Sequence, residues 1–174
     1  ADGTAITLAL LANPALARSD VAAILALWRE YLAEPPADAE LLPALEKASV
    51  GTNTRVAAYM LGKGRLATAE SLAPGLGTAD RTALAAALAA RRGEWAPALR
   101  IADRVLEEDA THCMALMVRS EARIEARQLS GALRSAQEAA SQCPGESNAW
   151  RLAALSYSRR GDLENARRIW RQGM

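Results

Sequence analysis

The chain has 174 residues, about half of them apolar, and a formal net charge of +1. That much apolar material can bury a core, which argues against intrinsic disorder. The near-zero charge gives no overall basic field to attract nucleic acid. Ala and Leu dominate the apolar set and Phe is absent, so strong helix formers set the expected class, which is all-α.

The first apolar stretch, Ile6 to Ala12, is too short to span a bilayer and lacks the basic flank of a signal peptide. It predicts a short helix over Ile6 to Leu11, stopped by Asn13-Pro14. Val21, Ile24, Leu25, Trp28 and Leu32 then recur at helical spacing. They predict an amphipathic helix with Ser19 or Asp20 as its N-cap, ended by Pro35-Pro36. Asp38 opens a further helix to about Ser49, in which Pro43 is tolerable only near the first turn. Positions 1–49 read as divergent helices continuous with the remainder of the chain.

From Val50 onward the chain repeats. Gly161–Ala166 aligns with Arg127–Ala132 and, one equal step earlier, with Gly93–Ala98. The step is about 34 residues, within the range of helical repeat architectures. A fourth copy, Gly64 to Ala69, fits if one unit is about five residues short, with Gly75 and Gly77 in the shortened loop. Units are expected at 50–78, 79–112, 113–146 and 147–174, the last stopping at its twenty-eighth position, as in a piece of a longer array. Within a unit, small residues recur at position 8 (Ala86, Ser120, Ala154) and position 20 (Ala98, Ala132, Ala166). Gly recurs at position 15, Leu or Trp at 17, and Pro144 stands at position 32. Small residues let two helices approach, Gly permits the turn between them, and Pro stops the second helix. Arg119 and Arg123, at positions 7 and 11, and Arg127 at the turn depart from this pattern.

This combination resembles the tetratricopeptide repeat family. The resemblance implies a right-handed superhelical stack of antiparallel helix hairpins, with a concave face lined by the first helix of each unit at positions 2, 5, 9, 12 and 13. Carried over, these are Asp80, Ala83, Ala87, Ala90 and Arg91; Met114, Met117, Glu121, Ile124 and Glu125; and Asn148, Arg151, Leu155, Ser158 and Arg159. A groove with adaptable Met side chains suits a peptide or helix. The Lys, Asn and Arg set with which some family members clamp a peptide carboxylate is missing: positions 5 and 9 read Ala83/Ala87, Met117/Glu121 and Arg151/Leu155. From Arg151 to the end there are six arginines and two acids, so an acidic partner segment would favour the last unit. Trp170 there is either exposed or the face that a next repeat would cover.

Cys113 and Cys143 fall at one end of the same expected hairpin. They are either a disulfide, closing a loop of about 30 residues, or two reduced half-buried thiols. A bond would argue for an oxidising compartment such as the bacterial periplasm.

Little chemistry is legible. His112 is the sole histidine and lies at a hairpin junction. Gly62-Lys63-Gly64 reads as a turn and Glu107-Glu108-Asp109 as a solvated helix end. No zinc spacing, phosphate loop or nucleophile elbow occurs, so no cofactor or metal is expected and enzyme is the disfavoured class. The expected role is a non-catalytic protein–protein scaffold with a protein or peptide in the groove, no nucleic acid, no membrane insertion by this segment, and packing on further repeats or self-association through the last hairpin. The Arg-over-Lys bias, 19 to 2, points to a high-GC bacterium, where such proteins serve envelope assembly, exopolysaccharide export or pilus systems. The alternative is a recruitment domain attached to a catalytic one, of glycosyltransferase or sulfotransferase type.

Overall fold

A computed structural model describes residues 3–32 and 34–173. Its described residues form α-helices, one 3-10 turn and no strand. The chain divides into two compact units, Ala1–Leu84 and Ala85–Met174.

The first unit holds α1 (Gly3–Leu11), α2 (Arg18–Tyr31), α3 (Asp38–Leu45), α4 (Val50–Gly62), α5 (Leu66–Ser71), a 3-10 turn (Ala73–Gly75) and the start of α6 (Thr78–Arg91). α1 packs on α3, α2 on α4, and α4 on α5. Trp28 anchors this unit. It is almost wholly buried, donates its indole N–H to Thr7 Oγ1 at 2.9 Å, and meets Tyr59 edge-on with ring centroids 5.9 Å apart. Arg29 and Lys63 lie over the Tyr59 ring. Burial raises the Tyr59 pKa, with Arg29 opposing it.

Three expectations for this unit are corrected. α2 starts at Arg18, so Ser19 and Asp20 lie inside it. Its N-cap is Ala17, in extended conformation and without a side-chain cap. Residues Arg18 to Asp20 are exposed, so water can satisfy the first amides, and Asp20 favours the positive end of the helix dipole. Pro43 is the sixth residue of α3 rather than a first-turn residue, and the helix ends two residues later, as expected where a ring removes an interior hydrogen bond. Ser49 therefore lies outside α3 and caps α4 instead, its hydroxyl accepting from the Thr52 amide at 3.1 Å.

The shortened unit has a local cause. α5 runs only six residues before the 3-10 turn. That turn presses Gly75 against Asn53, whose Nδ2 would lie 2.6 Å from a Cβ at that position. A larger residue at this position would have to push the Asn53 side chain aside.

The second unit comprises the end of α6 with α7 (Trp95–Glu108), α8 (Cys113–Glu125), α9 (Leu129–Gln142), α10 (Ser147–Arg159) and α11 (Leu163–Gln172). α7 packs on α8, α8 on α9, α10 on both α8 and α9, and α11 on α10. Small residues set the spacing: Ser120 and Ala132 are fully buried, and the Ser120 hydroxyl donates to the Ala132 carbonyl at 3.3 Å.

The turn position is shared across both units. Gly64, Gly93, Arg127 and Gly161 all have positive φ. Their spacing follows the repeat register, with the first interval short. After each, the next amide reaches back five residues: Arg65 to Met60, Glu94 to Ala89, Gln128 to Arg123, and Asp162 to Tyr157. These are four copies of the Schellman closure, which satisfies the last carbonyls of a helix. α5, α7, α9 and α11 each begin two residues after this position. Arg127 holds a geometry that costs an L-residue about 1–2 kcal/mol.

The other arginine departures are accommodated by their neighbours. Arg119 pairs with Glu138 on α9 and lies 4.0 Å from Asp103 on α7. Arg123 donates to Ser135 Oγ at 2.8 Å and lies along Gly131, where an added Cβ would sit 3.4 Å from Arg123 Cδ. Small residues on α9 make the room that these long side chains need.

Cys113 and Cys143 are joined by a disulfide with Cα atoms 5.9 Å apart. It ties the first residue of α8 to the C-cap of α9.

The turns and the bond can each be tested by stability. Arg127→Gly should stabilise the fold by about 0.5–1 kcal/mol, the relief of left-handed strain outweighing the added chain entropy, while Gly161→Ala should destabilise by a similar amount; urea midpoints at constant m-value check both. Reduction of the disulfide, or Cys143→Ser, should cost about 3–4 kcal/mol for a 30-residue separation, read from urea titrations of oxidised and reduced protein.

Candidate protein-binding site

The residues expected to form a groove do not share one environment. Asp80 lies in the first unit, where its carboxylate accepts from Thr54 Oγ1 at 2.9 Å. Arg91 is exposed in the last turn of α6. On α8, Met114, Met117 and Glu121 are half-buried and Glu125 is exposed. On the adjacent α10, Asn148, Arg151 and Leu155 are half-buried, and Ser158 and Arg159 are exposed.

Ile124 requires a correction. Only 5% of it is exposed, and it sits in a cluster with Ala132, Ala136, Leu152 and Ala153. Once α10 docks on α8 and α9, Ile124 becomes their cement rather than a ligand contact. Met117 and Leu155 pack against the same cluster, so they serve the interior as well as the surface.

Asn148 links the two helices. Its Nδ2 donates to Met117 Sδ at 3.6 Å and its Oδ1 accepts from Arg151 Nε at 2.8 Å. Met117, Asn148 and Arg151 thus form a continuous row across α8 and α10.

His112 acts locally, as the N-cap of α8, with its Nδ1 facing the Ala115 amide at 3.5 Å. Just before it, Asp109 accepts from the Thr111 amide and hydroxyl, which lowers its pKa. Among the described residues no group of three or more His, Cys, Asp or Glu side chains is placed to hold a metal. No described helix is long and apolar enough to cross a membrane.

A concavity lies between α10 and α11, an open cleft of about 650 Å³. Arg151, Ala154, Leu155 and Ser158 form the α10 wall; Leu163, Ala166, Arg167, Trp170 and Arg171 form the α11 wall. Its floor is apolar. Leu163 and Trp170 keep 57% and 49% of their exposure, and no residue of α11 is fully buried. Asp162 caps α11 by accepting from the Asn165 amide and side chain, bonds that lower its pKa. The stability from that cap is therefore present at neutral pH and lost as pH falls through the lowered value. Sequence reasoning placed Arg151 and Leu155 on the groove, and both line this cleft. It did not assign Leu163, Ala166, Arg167 or Arg171 to any site. The 34-residue register held part of the signal, because Ser120, Ile124, Ala132, Leu133 and Ala136, one step before Ala154, Ser158, Ala166, Arg167 and Trp170, are buried in the preceding hairpin.

No protein-family model and no curated protein matches the sequence. Solved structures do match in fold. TTC0263, a tetratricopeptide protein of Thermus thermophilus, superposes with a TM-score of 0.58 at 19% identity, covering 72% of this chain and 73% of that one. The fold is the tetratricopeptide-repeat fold. YrrB, a tetratricopeptide protein described as having an unusual peptide-binding site, matches at TM-score 0.52 and 14% identity over 89% of this chain and 77% of that one. MamA from Desulfovibrio magneticus RS-1 matches at TM-score 0.53 and 14% identity over 99% and 94%. The chain is thus an all-α tetratricopeptide-type solenoid.

Burial separates the structural from the available apolar residues of this repeat. Ile124→Ala should destabilise by about 2–4 kcal/mol, as for other large-to-small core changes. Trp170→Ala should cost less, about 1–2 kcal/mol, because half of the side chain already faces water. Thermal and urea unfolding of the two variants tests the contrast.

Proposed function

We propose that this chain is a non-catalytic protein-interaction scaffold, holding a peptide or helix of a partner protein against the first helices of its repeats. The observation that carries this reading is the row formed by Met117, Asn148 and Arg151 across α8 and α10. It sets a soft apolar surface beside a fixed cation and is flanked by Glu121, Glu125 and Arg159. Half-buried methionine adapts to a ligand side chain, and hydrogen-bonded Arg and Asn give it direction. The described peptide site of YrrB is consistent with the same use of the fold.

The scaffold is assigned to the bacterial periplasm, as a module of an envelope assembly or of an exopolysaccharide or pilus export system. The disulfide supports an oxidising compartment, and the composition supports a high-GC bacterial source. The second reading, recruitment for an attached catalytic domain of glycosyltransferase or sulfotransferase type, uses the same groove and differs only in what the chain is joined to.

The charge reversals Glu121→Arg, Glu125→Arg and Arg159→Glu fall on one half-buried and two exposed side chains and replace no fully buried residue. Combined in one protein, they should reduce partner capture in quantitative affinity purification by at least about tenfold, with unchanged circular dichroism. Undiminished capture by the folded triple variant would sink the assignment to α8 and α10.

A further inference from the structure

The turn between α8 and α9 holds a second cleft, an open space of about 510 Å³. Arg123, Arg127 and Arg134 line it together with neutral residues of the turn, and no described carboxylate does. Both neighbours of this hairpin are in place, α7 against α8 and α10 against α8 and α9, and they leave the cleft open. Its opening therefore does not depend on either end of the chain. None of the residues assigned to the groove lines it.

The three cations are uncompensated. Among the described residues none of them is in an ion pair. Arg119, one helical turn before Arg123, shows the contrast, because it pairs with Glu138 and lies 4.0 Å from Asp103. Arg123 is also half-buried, yet it donates to the neutral hydroxyl of Ser135 at 2.8 Å. That hydroxyl donates in turn to the Gly131 carbonyl at 3.1 Å. The guanidinium is thus fixed in place without being neutralised. Charges withdrawn from water are ordinarily paired, so a cation held in this way is poised for an external counter-ion.

The hairpin gives up local stability to place these side chains. Arg127 occupies the left-handed turn position that is glycine in the other three turns. Gly131 lies inside α9, where glycine is a poor helix former, and an added Cβ there would sit 3.4 Å from Arg123 Cδ. Both placements bring a guanidinium to the same cleft, and strain of this kind gathers at functional sites. The adjoining turns add to the positive field: residues 91–100 carry three arginines and one acid, and residues 159–168 four arginines and two acids. We infer that this cleft binds a phosphate dianion, free or as a small monoester, through Arg123, Arg127 and Arg134. A phosphate presents its charge on several oxygens and can engage more than one guanidinium fork, whereas a carboxylate is filled by a single fork. The cleft volume of about 510 Å³ falls within the range of roughly 300–1,000 Å³ usual for small-molecule sites. The inference goes beyond the scaffold reading and does not rest on it.

The test is isothermal titration calorimetry of the oxidised full chain, with inorganic phosphate and phenyl phosphate as probes and acetate as the carboxylate control. Saturable binding of both probes marks a monoester site and binding of inorganic phosphate alone a free-phosphate site, and either supports the inference. Affinity should fall at least about tenfold from about pH 7.5 to about pH 5, as the dianion takes up its second proton. Arg127→Gly should raise the urea midpoint yet weaken phosphate binding by at least about tenfold, and Arg134→Gln should weaken it similarly. Because Arg127→Gly relieves the turn, its loss of binding cannot be ascribed to unfolding. Arg100→Gln, at the place of Arg134 one repeat earlier, should leave binding unchanged. No saturable binding of either phosphate up to about 10 mM overturns the inference. Undiminished binding by Arg127→Gly does so too, as does equal loss in Arg100→Gln and Arg134→Gln, which would mean a diffuse field and no site. Acetate that competes as well as phosphate, or co-sedimentation with phosphatidate vesicles when neither soluble phosphate binds, likewise overturns it, the ligand then being a carboxylate or a lipid surface.

Discussion

A left-handed residue at the end of each first helix controls the hairpins of this protein. At Gly64, Gly93, Arg127 and Gly161 the backbone enters a region that L-residues avoid, and the amide that comes next closes a bond five residues back. That closure ends one helix and aims the next, which starts two residues later in every case. The small residues at positions 8 and 20 have value only because this turn brings them opposite each other. Ser120 against Ala132 shows how close the approach is, since a side-chain hydroxyl on one helix reaches a main-chain carbonyl on the other.

Given that geometry, the departures from the repeat pattern become local solutions. Arg127 carries the strained turn without glycine. Arg119 and Arg123 occupy places where an apolar residue would suit the interior, yet both find partners on neighbouring helices. Gly131 and Ser135 are small where Arg123 must pass. The disulfide fastens the far end of the same hairpin, joining the start of α8 to the end of α9. The hairpin that carries these arginine departures is thus held by side-chain and covalent ties between α8 and α9.

The hairpins differ in what is covered. α10 buries the outer face of α8 and α9 with Leu152 and Ala153. The equivalent face of α10 and α11 is a cleft with an apolar floor and an arginine rim. The same register places a half-buried row of Met, Asn and Arg on the first helices. Arg151 belongs to both, the row across α8 and α10 and the wall of the cleft.

The sequence by itself determined the helical class, the 34-residue step and the small-residue positions, because spacing and residue volume are local properties that survive in one dimension. It left open whether Cys113 and Cys143 are bonded, since that depends on two Cα atoms, far apart along the chain, meeting within bonding range. It misplaced the cap of α2 and the end of α3, where exposed amides and a displaced proline outweighed the usual signals. It also assigned Ile124 to the groove, because the tetratricopeptide resemblance implies a concave face that includes position 12. Only the tertiary structure, by seating α10 over α8 and α9, decided that Ile124 is interior while Ser158, its counterpart in the register, is exposed. Burial belongs to the neighbour as much as to the residue, so no reading of one helix alone could have separated the two.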